Sequence, residues 1–229
     1  MGIVAARPPA PEKCPVPPTR SLRRWIVAGI ALTVLMAALI RYALIPLQVS
    51  GMHRKAFTQT SPEEARNLFE KAMALEPENH ELRYDAGTWY LGQEWYQDAE
   101  DLYNLYVVRF PNNPKAWYNL GSAALKNRHP QLARKALEQA FELHPLYPPT
   151  LSLLGRLELE QGNPSRAEKW FTEVVYLQPK NPQSYYNLAV FHARTGEQAK
   201  AIEFCQKAIE LNSDYEPARQ LLKQLEPAP

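Results

Sequence analysis

Prolines recur in this chain at one fixed interval. Pro77, Pro111, Pro145 and Pro179 stand 34 residues apart, and one further step reaches Ser213. The same interval orders other residue types: Ala65, Ala99, Ala133, Ala167 and Ala201; Gly87, Gly121, Gly155 and Ala189; Phe69, Tyr103, Leu137, Phe171 and Cys205. Self-similarity at such a period marks a stacked array in which each unit is one supersecondary motif. Each ladder has a steric meaning. Proline lacks an N–H and clashes with the preceding turn, so it ends a helix and pushes the residue before it out of helical geometry. Gly or Ala in a first helix and Ala in a second let two backbones approach, and larger residues fill the holes beside them. In Phe110–Pro114, FPNNP, the two prolines separate one helix pair from the next, and Trp117 is expected to open the following helix.

In this register the motifs resemble the tetratricopeptide repeat (TPR), whose pattern is W-x2-L-G-x2-Y, then A-x3-F, then P. WYNLG at 117–121 runs on to Ala133, Leu137 and Pro145, and LSLLG at 151–155 to Ala167, Phe171 and Pro179. YYNLA at 185–189 is followed by Ala201, and residues 80–111 match through Gly87, Tyr90, Ala99, Tyr103 and Pro111, with Arg83 in the aromatic slot. The resemblance implies an all-α, helix-turn-helix solenoid with repeats at 80–113, 114–147, 148–181 and 182–215. The ends are atypical, as repeat arrays require. Residues 48–79 read as a degenerate first half-repeat: Ser61 caps its helix, Pro62 suits the first turn and Glu64 completes a capping box. EPARQLLKQL, within 216–229, reads as a solvating cap helix.

The N-terminal quarter has a different composition. Residues 1–20 carry Pro8, Pro9, Pro11, Pro15, Pro17 and Pro18, too little apolar surface to offset ordering, and are expected to be a disordered basic tail. PVPPTR, 15–20, fits the P-x-x-P-x-R pattern of SH3 ligands, but such motifs recur by chance and a spacer is the reading adopted. Trp25–Ile40 is then an apolar run without a charge, and after Arg41 the run continues to Leu47. That length meets the roughly 20 residues a bilayer core requires, so 21–47 is read as a transmembrane signal-anchor helix. No A-x-A cleavage pattern follows it. Arg20, Arg23 and Arg24 crowd its first flank, which puts the N-terminus in the cytoplasm and the repeats on the opposite side: inner membrane and periplasm in a bacterium. Gly29, Thr33 and Ala37 share one helix face at the spacing of a dimer seam, but small residues are common in such helices, so self-association stays open.

The resemblance also implies where a partner would bind. First helices of TPR arrays line a concave groove, and the groove positions here are Tyr84, Thr88 and Leu91; Tyr118, Ser122 and Lys126; Ser152, Arg156 and Leu159; Tyr186, Val190 and Arg194. A recurring tyrosine suits a peptide surface, giving contact area and a hydroxyl at low entropy cost. The carboxylate clamp of chaperone-binding members is missing: Tyr84 and Thr88 replace its first Lys and Asn, and Pro149 and Leu153 its later basic pair, although Asn119 fits.

Other classes of function find little support. The chain carries +2 overall, but residues 1–24 hold +4 of it, so the repeats have no basic excess for nucleic acid. His53, His80, His129, His144 and His192 are scattered, with no metal-ligand spacing, and no phosphate loop or G-x-S-x-G appears. His192 is read as a packed core residue. Cys14 and Cys205 flank the apolar segment and are not expected to pair. No enzyme activity and no cofactor is expected. Two readings remain: a membrane-anchored scaffold binding a protein or peptide partner during assembly or chaperoning of a membrane or envelope complex, or a permanent structural subunit of a larger membrane complex.

Overall fold

The computed structural model describes residues 20–59 and 61–226. The proline-rich segment up to residue 19, with most of the SH3-like motif and Cys14, lies outside the described residues. Every regular element among those described is a helix. The chain divides into two units, Met1–Gly51 and Met52–Pro229, taken in turn.

In the first unit α1 (Arg20–Leu39) passes through a π-helical segment, Ile40–Leu44, into α2 (Ile45–Thr58) without a break. Pro46 accounts for the π segment. It offers no N–H to the carbonyl four residues back, and its ring crowds that turn. The turn before it widens, so that the Ile45 N–H bonds to the Ile40 carbonyl five residues back, and the helix continues. Leu22–Thr58 is 37 residues long and apolar enough to cross a membrane, and its most apolar stretch is 0% buried. Trp25 is 76% exposed and Leu35 65%, although they lie on different faces. Thr33 folds its hydroxyl onto the Ile30 carbonyl at 2.8 Å, which hides a polar group on this surface.

The second unit takes the last residues of α2 and then α3 (Pro62–Leu75). Four helix pairs follow: α4 (His80–Gly92) with α5 (Tyr96–Arg109), α6 (Pro114–Lys126) with α7 (Pro130–Leu143), α8 (Pro148–Glu160) with α9 (Pro164–Leu177), and α10 (Pro182–Thr195) with α11 (Gln198–Leu211). A single helix, α12 (Glu216–Leu225), packs on α11 and α10. Each helix of a pair packs on its mate, and each second helix packs on the first helix of the next pair.

Prolines set most of these boundaries. Residues just before the ladder prolines leave helical geometry, as Phe110 does at φ −127° and ψ 66°. A second set of prolines begins helices: Pro62, Pro114, Pro130, Pro148, Pro164 and Pro182 are first residues, where the missing N–H costs nothing. Helix α6 therefore starts at Pro114, capped by the Asn113 side chain on the Ala116 N–H, and Trp117 lies one turn in rather than at the opening. The cap of α3 also differs from a capping box. Ser61 accepts from the Glu64 N–H at 3.4 Å, but its hydroxyl donates to the neighbouring Glu63 carboxylate, which is the nearer acceptor.

Within each pair the chain turns through one left-handed residue: Glu94, Arg128, Gly162 and Gly196, with φ from 61° to 83°. The next N–H reaches back five residues, as in His129 to the Ala124 carbonyl at 2.8 Å, closing the helix end. Beyond each turn, the alanine ladder from Ala65 to Ala201 is fully buried. The glycine ladder is where helices of a pair approach. A Cβ on Gly87 would stand 3.2 Å from Tyr103, on Gly121 2.6 Å from Leu137, and on Gly155 2.9 Å from Phe171. In the fourth pair the same slots hold Ala189 and Cys205, both buried, and the smaller side chain leaves room for a Cβ. Burial pushes the Cys205 thiol up to about 11.

The half-repeat is closed by aromatic rings. Phe69 is fully buried and meets Phe57, Trp89 and Tyr90 at centroid distances of 5.5, 5.6 and 6.1 Å. Arg66 lies over Trp95 at 5.0 Å and pairs with Asp98 at 2.7 Å. Burial of a ring like Phe69 stabilises by roughly 1.5–3 kcal/mol, which lets α3 stand without a complete mate.

Candidate functional site

The first helices of the pairs carry the expected groove positions, and the structure divides those positions into a filled half and an open half. Tyr84 on α4 packs edge-on against Tyr103 at 5.6 Å and lies 5.0 Å from Tyr106, both on α5. Its hydroxyl accepts from the Asn119 amide of the next repeat at 3.0 Å. Thr88 sits 2.9 Å from the Tyr103 hydroxyl and also donates to the Tyr84 carbonyl. Burial raises the Tyr84 phenol above its ordinary value, with the neighbouring Tyr106 adding to it. Leu91 is half-buried, Ser122 is buried in α6, and Lys126 reaches over the Tyr96 ring at 5.1 Å. These five positions line no common cavity among the described residues.

The other seven do. A cavity of about 460 Å³ lies along α8 and α10, with Tyr118 of α6 at its edge. Ser152, Arg156 and Leu159 line it from α8, and Tyr186, Val190 and Arg194 from α10. Its tyrosines are held by rings from inter-repeat turns: Tyr118 stands edge-on to Tyr147 at 5.7 Å, and Tyr186 to Tyr215 at 5.8 Å. Burial raises the Tyr118 phenol, and Tyr147 adds to the effect while the Arg156 charge opposes it. Asn187 ties α10 to α8 by donating to the Ser152 hydroxyl at 3.4 Å. Among the described residues, two arginines are the only charged members of the lining.

Sequence reasoning overlooked several members of this wall. Gln183, Ser184 and Asn187 line the cavity beside the expected residues. Asn119 and Asn187 occupy equivalent slots, as do Tyr147 and Tyr215 at the caps of α8 and α12, so the 34-residue frame held the signal. A second cavity, of about 670 Å³, opens between α7 and α9 around Phe141, Leu146 and Trp170. Charges there are largely matched internally. Glu158 is 4% exposed and accepts from Arg134 and from Asn163, each at 2.9 Å. Burial would raise its carboxyl, but those two hydrogen bonds outweigh it and hold the group below the ordinary carboxylate value.

The histidines do not assemble into a centre. His192 is buried and stacked on Phe204 at 5.3 Å, while His129 meets Glu100 at 2.9 Å and His53 meets Asp85 at 3.2 Å. Among the described residues no three His, Cys, Asp or Glu side chains converge as metal ligands.

Solved structures with the same architecture have low sequence identity. TTC0263, a thermophilic TPR protein in Thermus thermophilus, is 19% identical with a TM-score of 0.64, over 77% of this chain and 98% of that one. MamA from Desulfovibrio magneticus RS-1 is 22% identical with a TM-score of 0.63, over 73% and 95%. YrrB, a TPR protein with an unusual peptide-binding site, is 25% identical with a TM-score of 0.59, over 81% and 92%. No curated protein sequence matches the chain significantly. Family models described as tetratricopeptide repeat match residues 56–123, 118–182 and 152–216. Those matches run nearly end to end over the helix pairs described above, and the chain belongs to the tetratricopeptide repeat family.

Proposed function

We propose that the chain is a membrane-anchored scaffold that holds a protein or peptide partner in the cavity along α8 and α10. Its place would be in the assembly or chaperoning of a membrane or envelope protein complex. The observation that carries this reading is the cavity itself, where two tyrosines and two arginines from three successive first helices converge. Rigid aromatic rings beside charged donors suit recognition of another polypeptide. A peptide-binding site in YrrB, which shares the architecture, supports the same use here. The unburied apolar run from residue 25 to 47 supports the anchor, and the arginines before it support a cytoplasmic N-terminus with the repeats across the bilayer.

Two measurements test this. Membranes carrying the chain are washed with alkaline carbonate; retention is expected, and release of the chain would remove the anchor from the proposal. Ser152→Trp, which fills the cavity from a half-exposed position, is then compared with the native chain in cross-linked capture from those membranes. Loss of several sub-stoichiometric clients, with an unchanged melting curve, is the expected result. A single stoichiometric partner that survives detergent and salt would point instead to a permanent subunit.

A further inference from the structure

Resting on the groove reading above, we infer that the occupant of the α8–α10 cavity is an extended peptide segment bearing an Asp or Glu side chain, received between Arg156 and Arg194. Three observations converge on that chemistry. No carboxylate among the described residues lines the cavity, so its two arginines leave it positively charged. Neither arginine is satisfied by the described residues. The Arg156 Nε has no hydrogen-bond partner there, and the carboxylate of Glu160 stands 3.8 Å away, beyond hydrogen-bond reach. Arg194 forms no ion pair among the described residues. Arg66 and Arg134 behave differently, with carboxylates at 2.7 and 2.9 Å. A guanidinium is a fixed fork of donors that matches a carboxylate, so two idle forks in one cavity leave an anion to be supplied from outside. The third observation is Ser184, which is 1% exposed, lines the same cavity and keeps a hydroxyl without a partner among the described residues. It adds a further donor for an oxygen acceptor.

The carboxylate belongs to a side chain rather than a chain end. The amides of Gln183 and Asn187 and the hydroxyl of Ser152 line the cavity beside the arginines. Paired donors and acceptors of this kind serve the main-chain N–H and C=O groups of a segment that continues past the anion. The filled half of the groove, around Tyr84 and Tyr103, offers no equivalent opening.

The test uses the full chain in detergent and short fluorescent probes of one apolar sequence, all amide-capped, with central Glu, Gln or Lys residues. Fluorescence anisotropy should show the Glu probe binding about tenfold more tightly than the Gln probe, the ratio that ~1.4 kcal/mol produces. R156Q and R194Q should each abolish that preference while leaving the Gln probe unaffected, and Arg194→Glu should transfer it to the Lys probe. Equal binding of Glu and Gln probes, lost in Ser152→Trp, would overturn the acidic occupant and leave the groove reading standing. Tighter binding of an uncapped Gln probe than of the capped Glu probe would assign the arginines to a chain terminus and overturn the inference. Binding by no probe would overturn both readings. A Glu preference that survives R156Q and R194Q would remove the arginines from the site.

Discussion

Single residues in this fold are constrained by their distance to a neighbouring helix. Gly121 leaves a Cβ only 2.6 Å from Leu137, so Gly121→Val should destabilise by about 1–3 kcal/mol through overpacking, read from the denaturant midpoint. Gly92 has open space where its Cβ would be, and Gly92→Ala should stabilise by about 0.4–1 kcal/mol in the same assay. Arg128 occupies the left-handed turn position at φ 61°, which Gly162 and Gly196 fill without strain. Arg128→Gly should therefore raise stability by up to about 1 kcal/mol. Glu158 links charge to acid stability. Its folded pKa lies below the ordinary value of 4.5, so its contribution is present above that value and is lost as pH falls through the depressed one. Glu158→Gln should cost about 1.5–3 kcal/mol at neutral pH and flatten the acid side of a melting-temperature profile.

Elements show which parts of the structure could be read in advance. Proline ladders were legible because proline acts through its own backbone: wherever it stands, a helix must stop or start. Glycine and alanine ladders were legible because two helices at fixed spacing need small residues at fixed positions. The turns at Glu94 and Arg128 were not, since neither residue advertises a left-handed conformation and only the register of Gly162 and Gly196 marks the slot. The open half of the groove followed from register. Its filled half did not, because Tyr84 and Thr88 are occupied by Tyr103 and Tyr106 of the following helix, and register in a first helix carries no record of what its mate contributes. Helix α12 tests the array at this scale. A chain ending at Ser213 would bare the faces of α10 and α11 that α12 covers, and a lower melting temperature with concentration-dependent aggregation is expected by calorimetry and light scattering.

The whole repeat domain is stabilised by contacts between neighbours along the array. Stability then resembles a sum of unit and interface terms, and the ends have one interface fewer than the middle. Hydrogen exchange should protect the amides of α6 to α9 most strongly and those of α12 least. Uniform protection from α3 to α12 would mean one cooperative unit instead. The molecule carries its own reporter of such opening. With its thiol buried and pushed up to about 11, Cys205 holds almost no thiolate at neutral pH and offers no surface to a reagent. Its alkylation by iodoacetamide, followed by mass spectrometry separately from Cys14, becomes a clock for the last helix pair. Each modified thiol counts one excursion in which α11 lifted from its mate, so the lifetime of the closed C-terminal repeat can be timed without adding a probe.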